Sequence, residues 1–204
     1  MIYEMRTYTL RAGSVPEFEK RFGDVIAYRE KYSPLAAFWH TEIGPLNQVI
    51  HVWPYADLAE RARIRAEAMK DPNWPPKTRE FVLAQESKLL TPAPFSPPLD
   101  PRSDGPIYEI RTYDIQPSNI PRMTEAFAAA IPNRIALSPL VGAFSTEFGP
   151  LNQWIHIWVY RSLDERMRIR AEAMKQPTWP PKAQEIEWRM ETKIVLPASF
   201  SKLR

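Results

Sequence analysis

The chain has 204 residues, of which 44% are hydrophobic and 25% charged, as is usual for a globular protein with a sizeable core. Its formal net charge of +3 is too small to predict a nucleic-acid or anionic-membrane partner. Because it contains no cysteine, disulfides, thiolate metal sites and a cysteine nucleophile are excluded.

The first hundred residues predict the element order β-α-β-β-α-β, with a short extra helix before the last strand. Residues 2–10 alternate as a strand does, and Phe18, Phe22 and Ile26 recur at helical spacing. Asp57 is a suitable N-cap for the second helix. The predicted segments are strand 2–10, helix 16–32, strands 36–43 and 48–55, helix 57–70 and a last strand near 85–90.

The whole pattern then repeats at an offset of 105 residues. Ile2–Tyr8 returns as Ile107–Tyr113, and Arg63–Lys70 returns without change as Arg168–Lys175. Without any gap, 47 of 98 aligned positions are identical. Two copies of about 100 residues each are large enough to fold as domains, so the chain is a duplicated domain.

These observations predict a domain in residues 1–91, a proline-rich linker in 92–106 and a second domain in 107–204. Each domain has the ferredoxin-like order, which leaves one face of its sheet free of helices. The fold class is therefore α+β, with two tandem ferredoxin-like domains packed sheet to sheet as an intramolecular α+β barrel. Phe95 and Phe200 occupy matching positions after the last strand of each copy. We expect the segment around each phenylalanine to form an arm that packs on the other copy.

Three motifs resemble those of the NIPSNAP family, and they occur in both copies. They are the opening Tyr-Glu-x-Arg-Thr-Tyr at residues 3–8, the Gly-Pro-Leu-Asn-Gln at 44–48 before a His-x-Trp strand, and the Trp-Pro-Pro at 74–76. The resemblance implies the dimeric α+β barrel architecture, which is shared with cofactor-free monooxygenases, lactone isomerases and haem-dependent peroxidases. It does not imply a reaction, because a fold alone does not carry a function.

Alternation along the first and third strands of each copy places polar side chains on one face, and the apolar Ile50 and Val52 on the other. We expect the apolar face to pack against the helices and the polar face to line the barrel interior. His and Glu side chains in a partly dry site can exchange protons, and Arg can hold an anion. The predicted catalytic residues are His51, His156, Glu4 and Glu109, and the predicted substrate-binding residues are Arg6, Arg111, Tyr8, Tyr113, Trp53 and Trp158.

The same residues are also consistent with a self-contained buried network of charges, since buried charges need partners. The predicted function is therefore the binding or transformation of a small, partly aromatic or anionic molecule in the barrel interior. The alternative is a non-catalytic interaction or scaffold protein. Whether the chain is an enzyme stays open. His40 has no counterpart, since Ser145 stands at its position in the second copy, and we expect it to be exposed or to form a local hydrogen bond.

Other partners and cofactors find no support in the sequence. With three histidines spaced far apart, we expect no metal site, and without a phosphate loop or dinucleotide motif we expect no cofactor. Arg63 lies three residues after Glu60 and four before Glu67, the spacing of a salt-bridged solvated helix face, so nucleic acid is not expected. We expect no membrane span, since no stretch approaches about 18 consecutive apolar residues. We expect a cytoplasmic protein, since a strand begins at Ile2 in place of a targeting segment. A homo-oligomer of the tandem chain is the partner that the sequence leaves open.

Overall fold

A computed structural model describes residues 1–204 apart from the side chain of Gln184, and this described part contains eight β-strands and four α-helices. A short 3-10 helix precedes the last strand of each half: Arg79–Phe81 in the first half and Gln184–Ile186 in the second. The elements are β1 (Ile2–Leu10), α1 (Val15–Glu30), β2 (Ala37–Ile43), β3 (Gln48–Tyr55), α2 (Leu58–Ala68), β4 (Val82–Pro92), β5 (Ile107–Ile115), α3 (Ile120–Ile135), β6 (Leu140–Phe148), β7 (Gln153–Tyr160), α4 (Leu163–Ala173) and β8 (Glu187–Pro197).

The strands form a closed antiparallel barrel in the order β1-β3-β2-β8-β5-β7-β6-β4, with β4 returning to β1. Each half contributes a ferredoxin-like sheet, β4-β1-β3-β2 or β8-β5-β7-β6. The two sheets join at their edges, where β2 pairs with β8 and β4 pairs with β6. The prediction of two tandem ferredoxin-like units forming one α+β barrel is confirmed.

The helices form where the sequence pattern predicts them. Asp57 caps α2, because its side chain accepts a hydrogen bond of 2.8 Å from the Glu60 backbone amide. Ser14 precedes α1 but does not cap it, since its hydroxyl donates to the Arg11 carbonyl. No helix in the part of the chain that the structure describes is long and apolar enough to cross a membrane.

The barrel interior is filled by apolar side chains from both halves, among them Ile50 and Val52. An eight-stranded barrel is just wide enough for its own side chains. Toward one end the interior becomes polar, where Lys88 and Lys193 border a cavity of about 230 Å³. The opposite face of β1 and β3, which carries Glu4, Arg6 and His51, lies beneath the helices instead.

The prediction that the polar residues line the barrel interior is therefore wrong. The grouping of residues by alternation was right, but the two groups face the other way. The reason is that both faces of each sheet are buried, so an apolar row does not by itself indicate the helix side. The residues that lie outside the interior are Glu4, Arg6, Tyr8, His51 and Trp53 in the first half and Glu109, Arg111, Tyr113, His156 and Trp158 in the second.

Each half ends in an arm that packs on the other half. Phe95 packs against Trp154 of the second half, and Phe200 stacks on Phe22 of the first, with ring centroids 5.9 Å apart. Gly23 permits this approach, because a Cβ there would lie 2.8 Å from the Phe200 ring. The arms thus strengthen the association that the barrel strands establish.

Candidate functional site

A pocket opens in each half between the outer face of the sheet, the helices and the segment that follows the second helix. In the first half its volume is about 440 Å³, and in the second about 400 Å³. These volumes lie in the usual range for small-molecule sites. The first pocket is lined chiefly by Arg6, Tyr8, Phe22, Arg29, His51, Trp53, Arg65, Trp74 and Arg79.

Aromatic rings form the walls of the first pocket. The Trp74 ring meets Phe22 edge-on at 5.4 Å, and Phe22 lies 5.4 Å from the His51 ring. Trp74 comes from the Trp-Pro-Pro segment, which therefore both packs on α1 and borders the opening. Such walls suit a flat apolar group, since aromatic pairs favour edge and offset contacts.

Glu4 is fully buried at the back of this site and is held by guanidinium groups. Its carboxylate lies 2.6 Å from Arg61, 2.9 Å from Arg6 and 3.4 Å from Arg65. Ser87 donates a further hydrogen bond of 2.9 Å. Burial opposes ionisation, but the hydrogen bond from Arg61 and the charges of Arg65 and Arg6 outweigh it and lower the pKa of Glu4 to about 2. Glu4 is therefore a permanent anion with its oxygens occupied.

His51 is a neutral imidazole in this structure. The Trp53 indole N–H donates to His51 Nδ1 over 2.6 Å, and because an indole can only donate, the imidazole proton lies on Nε2. Burial, followed by the charge of Arg6, lowers the pKa of His51 to about 3. Its Nε2 is buried without a hydrogen-bond partner among the described residues. His51, which lines the pocket, thus has an Nε2–H donor that makes no hydrogen bond to the described residues.

The arginines of α1 and α2 are functional candidates that the sequence reasoning missed. Arg29 is 4% exposed, donates to Tyr55 and Ser33, and its guanidinium lies 4.4 Å from the centre of the Trp53 ring. On α2, the residues at 61 and 65 point toward Glu4, whereas Arg63 faces solvent and pairs with Glu67. The spacing of four residues between Arg61 and Arg65 was the available signal, since such residues share one helix face.

Three arginines thus contact the carboxylate of Glu4, and Arg29 adds another cation nearby. The carboxylate neutralises one of these charges, so the site keeps an excess of positive charge. Arg6 is oriented further by a 2.9 Å hydrogen bond from its Nε to the Tyr8 hydroxyl. An excess of guanidinium charge beside a sheltered cavity favours the binding of anions.

The second half repeats this arrangement. Glu109 contacts Arg166 at 2.6 Å and Arg111 at 3.1 Å, and its pKa is lowered to about 2 because the same arginine contacts outweigh burial. His156 Nδ1 accepts from the Trp158 indole at 2.6 Å, and burial lowers its pKa well below the usual value. The predicted site residues therefore gather in two separate pockets rather than in one shared interior.

No group of three or more His, Cys, Asp or Glu side chains suited to a metal ion occurs among the described residues. His40 lies outside both pockets, where its Nδ1 contacts the Glu19 carboxylate at 2.7 Å. The groups that the pockets offer to a bound molecule are thus guanidinium groups, imidazole N–H groups and aromatic rings.

Comparison with known proteins agrees with the motifs of the sequence. The NIPSNAP family model matches residues 3–97 and again residues 108–202. A NipSnap homolog from Dictyostelium discoideum is 30% identical over 208 residues, which cover 98% of this chain and 88% of the relative.

Solved structures are also similar to this chain. A NIPSNAP family protein from Agrobacterium tumefaciens is 38% identical over 48% of this chain and 92% of its own, with a TM-score of 0.46. A candidate monooxygenase from Fusobacterium nucleatum aligns over 97% of this chain and 92% of its own at 10% identity, with a TM-score of 0.69. At that identity the likeness shows the fold alone.

Proposed function

Because this chain belongs to the NIPSNAP family, whose fold here creates a cationic, aromatic-walled pocket in each half, we propose that it binds a compact anionic molecule with a flat apolar part. The observation that carries the proposal is the combination in the first pocket of excess arginine charge with the unpartnered His51 N–H. The ligand lies beneath the helices, not in the barrel interior.

The charge of the site favours an anion. Two unit charges 4 Å apart interact by about 4 kcal/mol at the effective dielectric constant typical near a protein surface. Glu4 offsets one guanidinium, so a ligand carboxylate, sulfonate or phosphate offsets part of the remainder. Arg65 is placed to make this contact, since it lines the pocket, is 40% exposed and reaches Glu4 only at 3.4 Å.

The shape and the walls of the pocket favour a flat apolar group on the same ligand. Phe22, Trp53 and Trp74 supply ring faces and edges around a cavity of about 440 Å³. A cavity of this size accommodates a single aromatic ring with one acidic group.

His51 acts in this proposal as a neutral hydrogen-bond donor to the ligand. An imidazole whose pKa is about 3 and a carboxyl whose pKa is about 2 do not exchange protons with each other at neutral pH. Glu4 instead positions Arg6 and Arg61. Proton transfer by His51, His156, Glu4 or Glu109 stays a prediction that depends on a ligand changing these pKa values.

The test compares benzenesulfonate, an anion at all accessible pH values, with uncharged benzenesulfonamide of nearly the same shape. Binding is followed by the indole ¹⁵N–¹H signal of Trp53, whose N–H is bonded to His51. We expect benzenesulfonate to shift this signal saturably and to bind at least about tenfold more tightly than the sulfonamide, the scale of one charged hydrogen bond.

Arg65→Gln is the informative variant, and Arg63→Gln on the same helix is its matched control, because Arg63 faces solvent and pairs with Glu67. We expect Arg65→Gln to weaken benzenesulfonate binding about tenfold or more and Arg63→Gln to leave it within about twofold. Equal affinity for sulfonate and sulfonamide would refute the anion preference. No saturable shift with either probe would favour the scaffold alternative.

A further inference from the structure

The two pockets of this duplicated chain differ at a position where the fold requires no difference. β4 and β8 are equivalent strands, and their first residues are Val82 and Glu187. Val82 is paired with Leu10 at the end of β1, and Glu187 is paired in the same way with Ile115 at the end of β5. Both side chains line the pocket of their own half.

This difference changes the charge of the pocket lining. In the described part of the chain, the first pocket is lined by Arg6, Arg29, Arg65 and Arg79, with no carboxylate among its lining residues. The second is lined by three arginines, Arg111, Arg134 and Arg170, and by the carboxylate of Glu187. In the sequence, Gln184 stands where the first copy has Arg79. The second copy therefore has an acid where the first has an apolar residue, and a neutral residue where the first has an arginine.

Glu187 is placed to act on the cations of the second pocket. Its carboxyl is half-buried, and burial raises its pKa, while the charge of Arg111 acts in the opposite direction. Arg111 and Glu187 line the same pocket, and Arg111 contacts Glu109 at 3.1 Å, whereas Arg6 in the first half contacts Glu4 and has no carboxylate among the described residues that line its pocket. Glu187 thus adds to the second pocket a negative charge that the described lining of the first pocket lacks.

The rim of the second pocket is also more apolar. Met190 lines it where Gln85 lines the first. Burial of a methionine against a ligand favours uncharged apolar groups, to which its flexible thioether adapts. The aromatic wall persists, since Trp179 meets both Phe127 and Trp158 edge-on.

We propose that the two pockets have diverged in specificity, so that the first takes a compact aromatic anion and the second takes an uncharged compact aromatic molecule. This inference rests on the proposed function, because it assigns that function's anion to one pocket of the pair. Glu187 is the specificity-determining residue, acting as a built-in counter-ion that repels a second negative charge.

The pockets can be observed separately in one sample, because the Trp53 and Trp158 indoles each donate to the histidine of their own pocket. In a benzenesulfonate titration of the full chain, we expect the Trp53 signal to shift saturably. The Trp158 signal should respond only at concentrations at least about tenfold higher. With benzenesulfonamide, we expect Trp158 to respond at lower concentration than Trp53.

Exchange of the distinguishing residue gives matched variants. Glu187→Gln keeps the size of the side chain and should let benzenesulfonate shift Trp158 at a concentration about tenfold lower than in the wild type. Glu187→Val should do the same, while Val82→Glu should weaken the Trp53 response about tenfold. Because Glu187→Gln adds no bulk, it keeps the test valid should Val82→Glu fail to fold.

Equal benzenesulfonate affinity at both indoles in the wild type would overturn the divergence while leaving the proposed function in place. An unchanged Trp158 response in Glu187→Gln would also overturn it, since another residue would then set the difference. If neither indole responds in the wild type or in Glu187→Gln, the proposed function fails and the divergence fails with it.

Discussion

Lowering the pH from about 7.5 to about 5.5 should weaken the fold through His51 and His156, whose imidazoles are buried and neutral. Burial lowers the pKa of His51 to about 3, against an ordinary value of 6.5 in the unfolded chain. Below pH 6.5 the unfolded chain binds a proton at this histidine and the folded chain does not. Stability is therefore lost as the pH falls through 6.5 and continues to fall toward 3.

The size of this loss follows from the difference in proton binding. A histidine that titrates at 6.5 when unfolded, and stays neutral when folded, costs about 1.4 kcal/mol between pH 7.5 and 5.5. Glu4 does not contribute in this interval. Its pKa is about 2 in the folded chain against an ordinary value of 4.5, so its effect on stability begins only below about pH 4.5. His40 acts in the opposite direction, since its hydrogen bond to Glu19 raises its pKa and so favours the folded state at low pH.

Urea unfolding at the two pH values measures the effect. With an m-value of about 1 to 3 kcal/mol/M, one histidine moves the midpoint by roughly 0.5 to 1.4 M. His51→Gln should reduce the acid-induced shift by this amount, whereas His40→Gln, outside both pockets, should enlarge the shift. If His51→Gln and the wild type lose the same stability between the two pH values, the neutral imidazole assigned to His51 is wrong.

The remaining predictions concern the buried anion and the closed barrel. Glu4→Gln should destabilise the fold by about 3 to 5 kcal/mol in urea unfolding, because it leaves buried guanidinium groups without their carboxylate, and exposed Glu67→Gln should cost less than about 1 kcal/mol. Cleavage at a protease site engineered beside Ser103 should leave the halves co-eluting on a sizing column, because β2–β8 and β4–β6 pairing and the arm at Phe200 hold them together. Separation of the fragments in dilute buffer would contradict the closed barrel.

The architecture was accessible from the sequence because several independent signals agreed. The gap-free repeat established two copies, the change from alternating to helical spacing established the order of elements, and the arms were visible as Phe95 and Phe200. In the structure those phenylalanines do pack on the opposite halves. Such signals are local or depend on self-comparison, so they do not require knowledge of the tertiary fold.

The contents of the pockets were only partly accessible. Alternation correctly placed Glu4 and Arg6 together. The sequence could not show that the Trp53 indole donates a hydrogen bond to His51 Nδ1 and so fixes the tautomer of that histidine. Nor could it show Arg29, which lies on α1 and reaches the site through contacts with Tyr55 and Trp53 of β3. Contacts between elements far apart in sequence depend on packing angles that no single-element pattern contains.

The reversed assignment of the sheet faces has a physical cause that can be stated from Glu4 itself. When both faces of a sheet are buried, hydrophobicity does not separate inside from outside, and the requirements of charged groups must decide instead. A fully buried carboxylate needs cations, and the strands offered it Arg6, which lies beside it on β1. Arg61 and Arg65 share one face of α2, so the face of the sheet that bears Glu4 had to be the face that this helix covers. The middle of the barrel interior is instead packed with Ile50, Val52 and their counterparts, and its charged side chains, such as Lys88 and Lys193, lie toward one end.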